Sequence, residues 1–242
     1  MRLRSITKHI RDQNWFAVAL DFFIVVAGIL IAFQITNWNA ERADQTRAQD
    51  YLIRLQSDFE NIQVRLIASQ GSFDESLDAI RQTRSMIKNR ESVLEGETAQ
   101  FLSLLNNIDA QSVPAWRSAT YVEMQSAGVL DLIKTTNLNQ SLVQYDRTTE
   151  IAQKGFELLM VRSAYVNPIL TSHIEYETSV ASSEGTDALN AVSFEFDRMK
   201  QDPAFNAALS ELARSQSNNR ILQANQLTET ENVLKALAEA LD

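Results

Sequence analysis

The chain has 242 residues with no Cys, two His, six Gly and three Pro, and its net charge is −9. Gly and Pro are far scarcer than the roughly 12% of an average sequence. This argues against sandwiches, barrels and many-stranded sheets, which need a turn every 8–12 residues or so. The lack of Cys excludes disulfides and thiolate chemistry, and two His argue against a His-rich metal centre. We therefore expect an all-α protein with no catalytic residues, no metal site and no cofactor.

The charge is unevenly distributed. Residues 1–38 carry four basic and two acidic side chains, whereas residues 39–242 carry 18 basic and 29 acidic side chains. An acidic body repels the phosphates of nucleic acids, whose binding depends on clustered Lys and Arg. No nucleic-acid partner is expected.

Residues 15–38 read WFAVALDFFIVVAGILIAFQITNW and are predicted to form a transmembrane helix. Trp15 and Trp38 are separated by about 34 Å of helix, which fits a hydrocarbon core of roughly 30 Å with an aromatic anchor at each interface. The alternative is a cleaved signal peptide. The positions preceding Ala40 and Ala43 do not have the small residues that cleavage requires, so we favour an uncleaved anchor.

The basic residues before the span set its predicted orientation. Under the positive-inside rule the N-terminus is cytoplasmic and the acidic body is periplasmic, in a bacterial inner membrane. The predicted organisation is a cytoplasmic basic segment at 1–14, a transmembrane helix at 15–38 and a periplasmic helical bundle at 39–242. Segment 1–14 is either a short interfacial helix or a frayed tail.

Three residues of the span are candidates for more than anchoring. Asp21 would lie roughly 9 Å below the interface, where it either snorkels to the headgroups or acts as a charge carrier or ion-pair partner. One such Asp near the cytoplasmic end of a single span is similar to ion-driven stator subunits. Gly28 and Ala32 form a small-xxx-small pair that would let a second span approach closely.

The first half of the body is predicted to consist of amphipathic helices. A heptad seam runs from Leu52 to Leu66, is interrupted at Gly71 by a break or a kink, and then resumes. Residues 98–107 are predicted to form a short helix. Pro114 predicts the start of a helix over 114–127 that Gly128 ends. The block at 116–133 is interpreted either as a hydrophobic plug or as a partner-docking tip with Trp116, Tyr121 and Met124.

The second half carries the clearest periodicity. Spacings of four and three from Leu138 to His173 predict one long helix that Pro168 bends. Residues 178–190 are predicted to be a loop, and Pro203 is predicted to open a last helix running nearly to residue 242. The fold class is thus all-α, with the transmembrane helix continuing into an elongated antiparallel bundle of long helices.

Polar residues interrupt the seam of the last helix at Ser215, Asn219, Gln226 and Glu229. They are expected to fix the register of the bundle, to face a ligand, or to face water. His173 has Glu175 and Glu177 nearby, but it lacks the E-x-x-H spacing of a di-iron bundle. We interpret it as a hydrogen-bonded seam residue.

Two segments carry a family resemblance. WFAVALDFFIVVAGILIAFQITNWNAER and TYVEMQSAGVLDLIKTTNLNQSLVQY resemble a family of proteobacterial single-pass inner-membrane proteins of unknown function. Members have an Asp-Phe-led span ending in Asn-Trp-Asn and a helical periplasmic body. The resemblance implies the topology given above and implies no site residues.

These observations favour a non-enzymatic, membrane-anchored interaction module that acts as an accessory subunit, a scaffold or a ligand-sensing relay. Its expected partners are the lipid bilayer and either a membrane protein or a second copy of the chain. The alternative is a stator-like or ion-channel subunit that uses Asp21 in the membrane.

Overall fold

The computed structural model describes residues 15–109, 116–181 and 186–241. The predicted cytoplasmic segment 1–14 lies outside these residues. The chain divides into two compact units, one ending at Asp50 and the other beginning at Tyr51.

The described residues contain six α-helices and one β-hairpin, which confirms the all-α class. In chain order the elements are α1 (Trp15–Asn89), a 3₁₀ turn (Glu95–Glu97), α2 (Thr98–Asn107), α3 (Ala119–Ala127), a 3₁₀ turn (Leu130–Leu132), α4 (Thr136–Thr171), β1 (Ile174–Ala181), β2 (Thr186–Phe194), α5 (Phe196–Gln201) and α6 (Pro203–Leu241).

The first unit consists, in its described part, of the N-terminal portion of α1. This portion contains the apolar segment, and its large apolar side chains are exposed, with Phe22, Phe33 and Trp38 each 58–65% accessible. It contains the one candidate membrane span among the described residues, with a mean hydropathy of 2.5 over an unburied window.

The second unit is built on residues 51–89 of α1 together with α4 and α6. Ser69 and Ser76 of α1 bond to Gln223 and Gln216 of α6, so these two helices are antiparallel. Contacts between α4 and α6 also run in opposite senses, since Asn137 bonds Glu239 and Thr149 bonds Gln226. Both α1 and α4 are therefore antiparallel to α6 and run in the same direction as each other, with α2 and α3 in the crossover between them.

The core of this unit forms two apolar clusters. The hairpin cluster joins α1, α4 and α6 to α2, α5 and the β-hairpin, and includes Ile80, Phe101 and Leu209. The α3 cluster joins the other ends of the long helices to α3, and includes Phe59 and Tyr145, whose rings pack edge to face 4.7 Å apart. Such burial contributes about 25 cal/mol for each Å² of apolar surface removed from water.

The structure corrects two predictions about the helices of the first half of the body and confirms a third. Helix α1 is unbroken through Gly71, so the seam continues there without a break. Helix α3 begins at Ala119 instead of residue 114, because the hydroxyl of Ser118 accepts a hydrogen bond from the N–H of Tyr121 and caps the helix. Gly128 ends α3 as predicted, in the left-handed conformation with φ 67°.

The predicted loop at 178–190 is wrong, because most of it lies in an antiparallel hairpin with Ile174 opposite Phe194. Ile174 and Ala191 are buried in the hairpin cluster, and the ring of Phe194 packs 4.7 Å from that of Phe101. The N–H of Ala191 also donates to Asn106 Oδ1 at 2.7 Å. Tertiary packing against α2 thus stabilises strands whose small polar side chains are typical of a loop.

Candidate functional site

The candidate residues of the span lie on α1. Trp15 is the first residue of the helix, and Asp21, Gly28, Ala32 and Trp38 are all exposed. A Cβ added at Gly28 would meet no atom within 4 Å. The described chain therefore leaves the small-residue face and the carboxylate uncovered, so both are accessible to lipid or to a second helix.

A carboxylate of α1 holds the start of α3. Asp58 Oδ2 accepts hydrogen bonds from the hydroxyl of Ser118 at 2.8 Å and from the N–H of Thr120 at 2.9 Å. Partial burial opposes ionisation of Asp58, but the donors of Thr120 and Ser118, together with the positive charge of Arg54, outweigh it and hold its pKa below the ordinary value. Asp58 thus satisfies the N-terminus of a helix that lies some 60 residues later in the chain.

The candidate docking residues of the 116–133 block lie largely in the core. Tyr121 and Met124 are buried in the α3 cluster, and half-buried Trp116 packs against it. The guanidinium of Arg65 lies 4.5 Å from the centre of the Trp116 ring. This burial favours the plug interpretation over the docking tip.

A buried hydrogen-bond network joins this block to α4 and α6. The Trp116 carbonyl accepts from the Tyr145 hydroxyl at 2.5 Å and from Gln226 Nε2 at 2.7 Å. Gln226 Nε2 also lies 2.9 Å from Thr149 Oγ1. Burial raises the pKa of Tyr145 to about 12, so its hydroxyl remains a donor at neutral pH.

The network belongs to a row of buried polar residues between the two apolar clusters, which we call the polar belt. Its members on α6 are Ser215, Gln216, Asn219, Gln223, Gln226 and Thr230. Gln216 Nε2 donates to the Ile108 carbonyl at 3.0 Å, and its Oε1 accepts from Ser76. Gln223 Oε1 accepts from Ser69 at 2.5 Å. These hydrogen bonds connect α6 to α1 and to the residue after α2 at successive positions along the helix.

Burial of the belt excludes one of the three expectations for this seam. Because these side chains are buried, the expectation that they face water is wrong for Ser215, Asn219 and Gln226. Glu229 is half-buried, accepts from Asn232 at 3.0 Å and lies outside the belt. The geometry supports a role in helix register.

A small cavity of about 320 Å³ opens where the belt meets α4. Gly155 forms part of its wall, because a Cβ at this position would lie 2.2 Å from Leu222 Cδ1. Ser215 also lines the cavity, and its buried hydroxyl has no hydrogen-bond partner within the described chain. Gly155 thus allows close approach of α6.

His173 lies between two carboxylates where α4 meets the hairpin. Its Nε2 is 2.8 Å from Asp202 Oδ2, and its Nδ1 is 3.9 Å from Glu195 Oε2. The hydrogen bond from His173, together with the N–H of Ala204, lowers the pKa of Asp202. His173 thus closes the end of the bundle as a hydrogen-bonded residue. The described residues hold no group of three or more metal-ligating side chains.

No family model, curated protein or solved structure matches the chain. The family resemblance carried by the two sequence segments therefore stays a prediction.

Sequence reasoning missed Asp58, Gln216 and Gln223. Gln216 and Gln223 alternate with Asn219 and Gln226 at spacings of three and four residues. Extending the predicted inward face of the last helix by the neighbouring row of residues would therefore have included both glutamines. Asp58 has no local signature, because its partners are distant in the sequence.

Proposed function

We propose that the chain is a non-enzymatic, single-pass membrane protein of a bacterial inner membrane, with a cytoplasmic N-terminus and a periplasmic bundle that acts as an interaction module. The observation that carries the proposal is the unburied apolar window of α1. Leaving a large apolar side chain in water costs about 1.5–3 kcal/mol relative to burying it. A stretch this long is stabilised by lipid, and its length suits a bilayer.

The proposed orientation is tested with reporters on the C-terminus of the full chain. Alkaline phosphatase, which is active only in the periplasm, should be active, and a cytoplasm-specific fluorescent protein should be dark. The control replaces the four basic residues of 1–14 with Glu (Arg2, Arg4, Lys8 and Arg11), which should weaken or invert the orientation. Fluorescence from the unaltered chain would contradict the proposed topology.

The same material distinguishes an anchor from a signal peptide. An uncleaved anchor predicts that the mass of the mature protein includes residues 15–38 and that the protein resists extraction from membranes by alkaline carbonate. Loss of the N-terminal residues through the end of the span, as expected for a cleaved signal peptide, would contradict the anchor.

The interaction role is supported by a second apolar stripe, on the outer face of α4. Leu158, Val161 and Tyr165 are 51–76% exposed at heptad spacing. Cross-linking in membranes followed by mass spectrometry should identify a membrane partner or a second copy, and replacing these three residues with Ser should abolish that cross-link. The matched control replaces Gln144 and Glu150, which are exposed polar residues of the same helix. An unchanged cross-linking pattern in the apolar variant would contradict the role of this stripe.

The exposed carboxylate of Asp21 supports the stator-like alternative. Asp21→Asn should leave insertion intact and abolish an ion-coupled function if the residue carries charge, whereas a snorkelling Asp predicts no functional change. Turnover of any substrate by the purified full chain, lost on substitution of one defined residue, would contradict the non-enzymatic role.

A further inference from the structure

A groove of about 880 Å³ runs along the second unit between the last turns of α1 and the first half of α6. Its apolar lining comes from side chains such as Leu77, Ile80 and Ala213. Four cationic side chains also line it, namely Arg81, Arg84, Lys88 and Lys200, and its described lining contains no carboxylate. Arg81, Arg84 and Lys88 share one face of α1 by their spacing.

This concentration of positive charge contrasts with the body as a whole, residues 39–242, where acidic side chains outnumber basic ones by 29 to 18. Several cations elsewhere in the second unit have a carboxylate partner, as in the pairs Arg54–Glu123 and Arg220–Asp74. Arg84 and Lys88 have no ion pair within the described chain, and as like charges at i and i+4 they repel each other by a few tenths of a kcal/mol.

The end of helix α1 explains part of this charge. Lys88 lies in the last turn, where a cation is favourable, and Lys200 Nζ donates to the Arg90 carbonyl at 2.9 Å. Arg81 is paired with Asp78. Arg84 lies about one turn before the helix end and has neither of these two contacts.

We propose that this groove binds a small organic anion whose phosphate or carboxylate group contacts Arg84 and Lys88 and whose apolar portion lies on the α1 and α6 side chains. The site gives the bundle a ligand, and it goes beyond the proposed function, since it depends only on the second unit. If the proposed membrane anchor proved wrong, the proposed anion site would be unaffected, and if the anion site proved wrong, the proposed anchor would be unaffected.

The probes are inorganic phosphate and butyl phosphate, titrated calorimetrically at low ionic strength into the full chain in zwitterionic detergent. Each buried methylene is worth about fourfold in affinity, so butyl phosphate should bind at least about tenfold more tightly than inorganic phosphate. Binding should be saturable at one site for each chain and should weaken with added salt.

Two variants test the location. Arg84→Gln with Lys88→Gln should weaken butyl phosphate binding at least about tenfold, as expected for loss of two charge-assisted contacts. Ser217→Asp, which adds a carboxylate to the groove lining, should weaken it as well. The matched control is Arg147→Gln with Lys235→Gln, an equal change in charge at two exposed residues outside the groove. Circular dichroism confirms that each variant is folded.

Three outcomes would overturn the proposal. Non-saturable binding would show that only the overall charge attracts the anion. An equal loss in the control pair would show the same. Unchanged binding in the Arg84 and Lys88 variant would show that the anion binds elsewhere.

Discussion

Replacing Gln226 with Leu tests whether Gln226 and Thr149 are hydrogen-bond partners in the polar belt. Leu keeps most of the side-chain volume but removes the donor that reaches Thr149 Oγ1 at 2.9 Å and the Trp116 carbonyl at 2.7 Å. The carbonyl retains the Tyr145 hydroxyl at 2.5 Å. The fully buried Thr149 hydroxyl loses the partner that the network gives it. Leaving such a group unpaired costs about 1–3 kcal/mol, so we expect the free energy of unfolding to fall by that amount.

The second substitution, Thr149→Val, should have opposite effects in the two backgrounds. In the wild type it removes a hydrogen bond and costs about 0.5–1.5 kcal/mol. In the Gln226→Leu background it replaces the unpaired hydroxyl with a methyl group and should restore most of the lost stability. The coupling free energy of the pair is the cost of Thr149→Val in the wild type added to the stability that it restores in the Gln226→Leu background, so it should be about 1.5–4 kcal/mol.

The assay is urea unfolding of the full chain in detergent, followed by helical circular dichroism. Asn225→Ala, at the exposed position next to Gln226, is the control and should change stability by less than about 0.5 kcal/mol. If Thr149→Val destabilised both backgrounds equally, the two side chains would not be partners and the argument for the belt would fail.

Three further predictions concern single contacts. Asp58→Asn should lower the free energy of unfolding by about 1 kcal/mol at neutral pH. Because the folded pKa of Asp58 is lowered, its stabilising contribution is present above about pH 4 and is lost as the pH falls further. The stability of the variant, measured by unfolding at a series of acidic pH values, should therefore fall less steeply than that of the wild type. Tyr145→Phe should reduce the loss of stability at alkaline pH. Because the folded pKa of Tyr145 is raised to about 12, the wild type loses stability as the pH rises above about 10, where the unfolded tyrosine ionises and the folded one does not. Parallel curves of unfolding free energy against pH for the wild type and the variant would contradict this. In a Leu222→Ala background, Gly155→Ala should raise the free energy of unfolding by up to about 1 kcal/mol through helix propensity. In the wild type the new Cβ meets Leu222, so the change in the free energy of unfolding should be about 1–3 kcal/mol less favourable there. Equal changes in the two backgrounds, measured by denaturant unfolding, would show that the contact is not tight.

The long helices could be predicted from the sequence because their signals are local. The seam of α4 begins at Leu138 and reaches Leu170, and both side chains are buried in the structure. Pro203 opens α6 as expected, and Asp202 Oδ1, one residue earlier, accepts a hydrogen bond from the N–H of Ala204 at 2.8 Å. Periodicity identifies the inward face of a helix without a partner being known.

The remaining features depend on contacts between distant parts of the chain. Periodicity places Gln226 on the inward face of α6, but it does not show that Tyr145 and Trp116 cover it. The hairpin was missed for the same reason, since its strands depend on packing against α2. The groove cations Arg84 and Lys88 belong to one helix, yet the groove exists only because α6 lies beside it.

The pairings between α1 and α6 do not fix their register on their own. Ser69 bonds Gln223 and Ser76 bonds Gln216, so the two pairs are separated by seven residues on each helix. One heptad further along α1 lies Thr83, which is buried and whose hydroxyl has no partner in the described chain. A shift of α6 by one heptad would place Gln216 near Thr83 and Gln223 near Ser76, and would keep two polar pairs.

Gln226 removes this ambiguity. After the same shift Val233 would take its place, and a Val side chain offers no donor to Thr149 or to the Trp116 carbonyl. The shifted arrangement would thus bury an unpaired Thr149 hydroxyl, at a cost of about 1–3 kcal/mol, and would move Val233 out of the α3 cluster. One glutamine that contacts α4 and the segment before α3 therefore selects the register that repeating pairs along α1 leave degenerate, in the way that a single buried polar residue sets the alignment of a coiled coil.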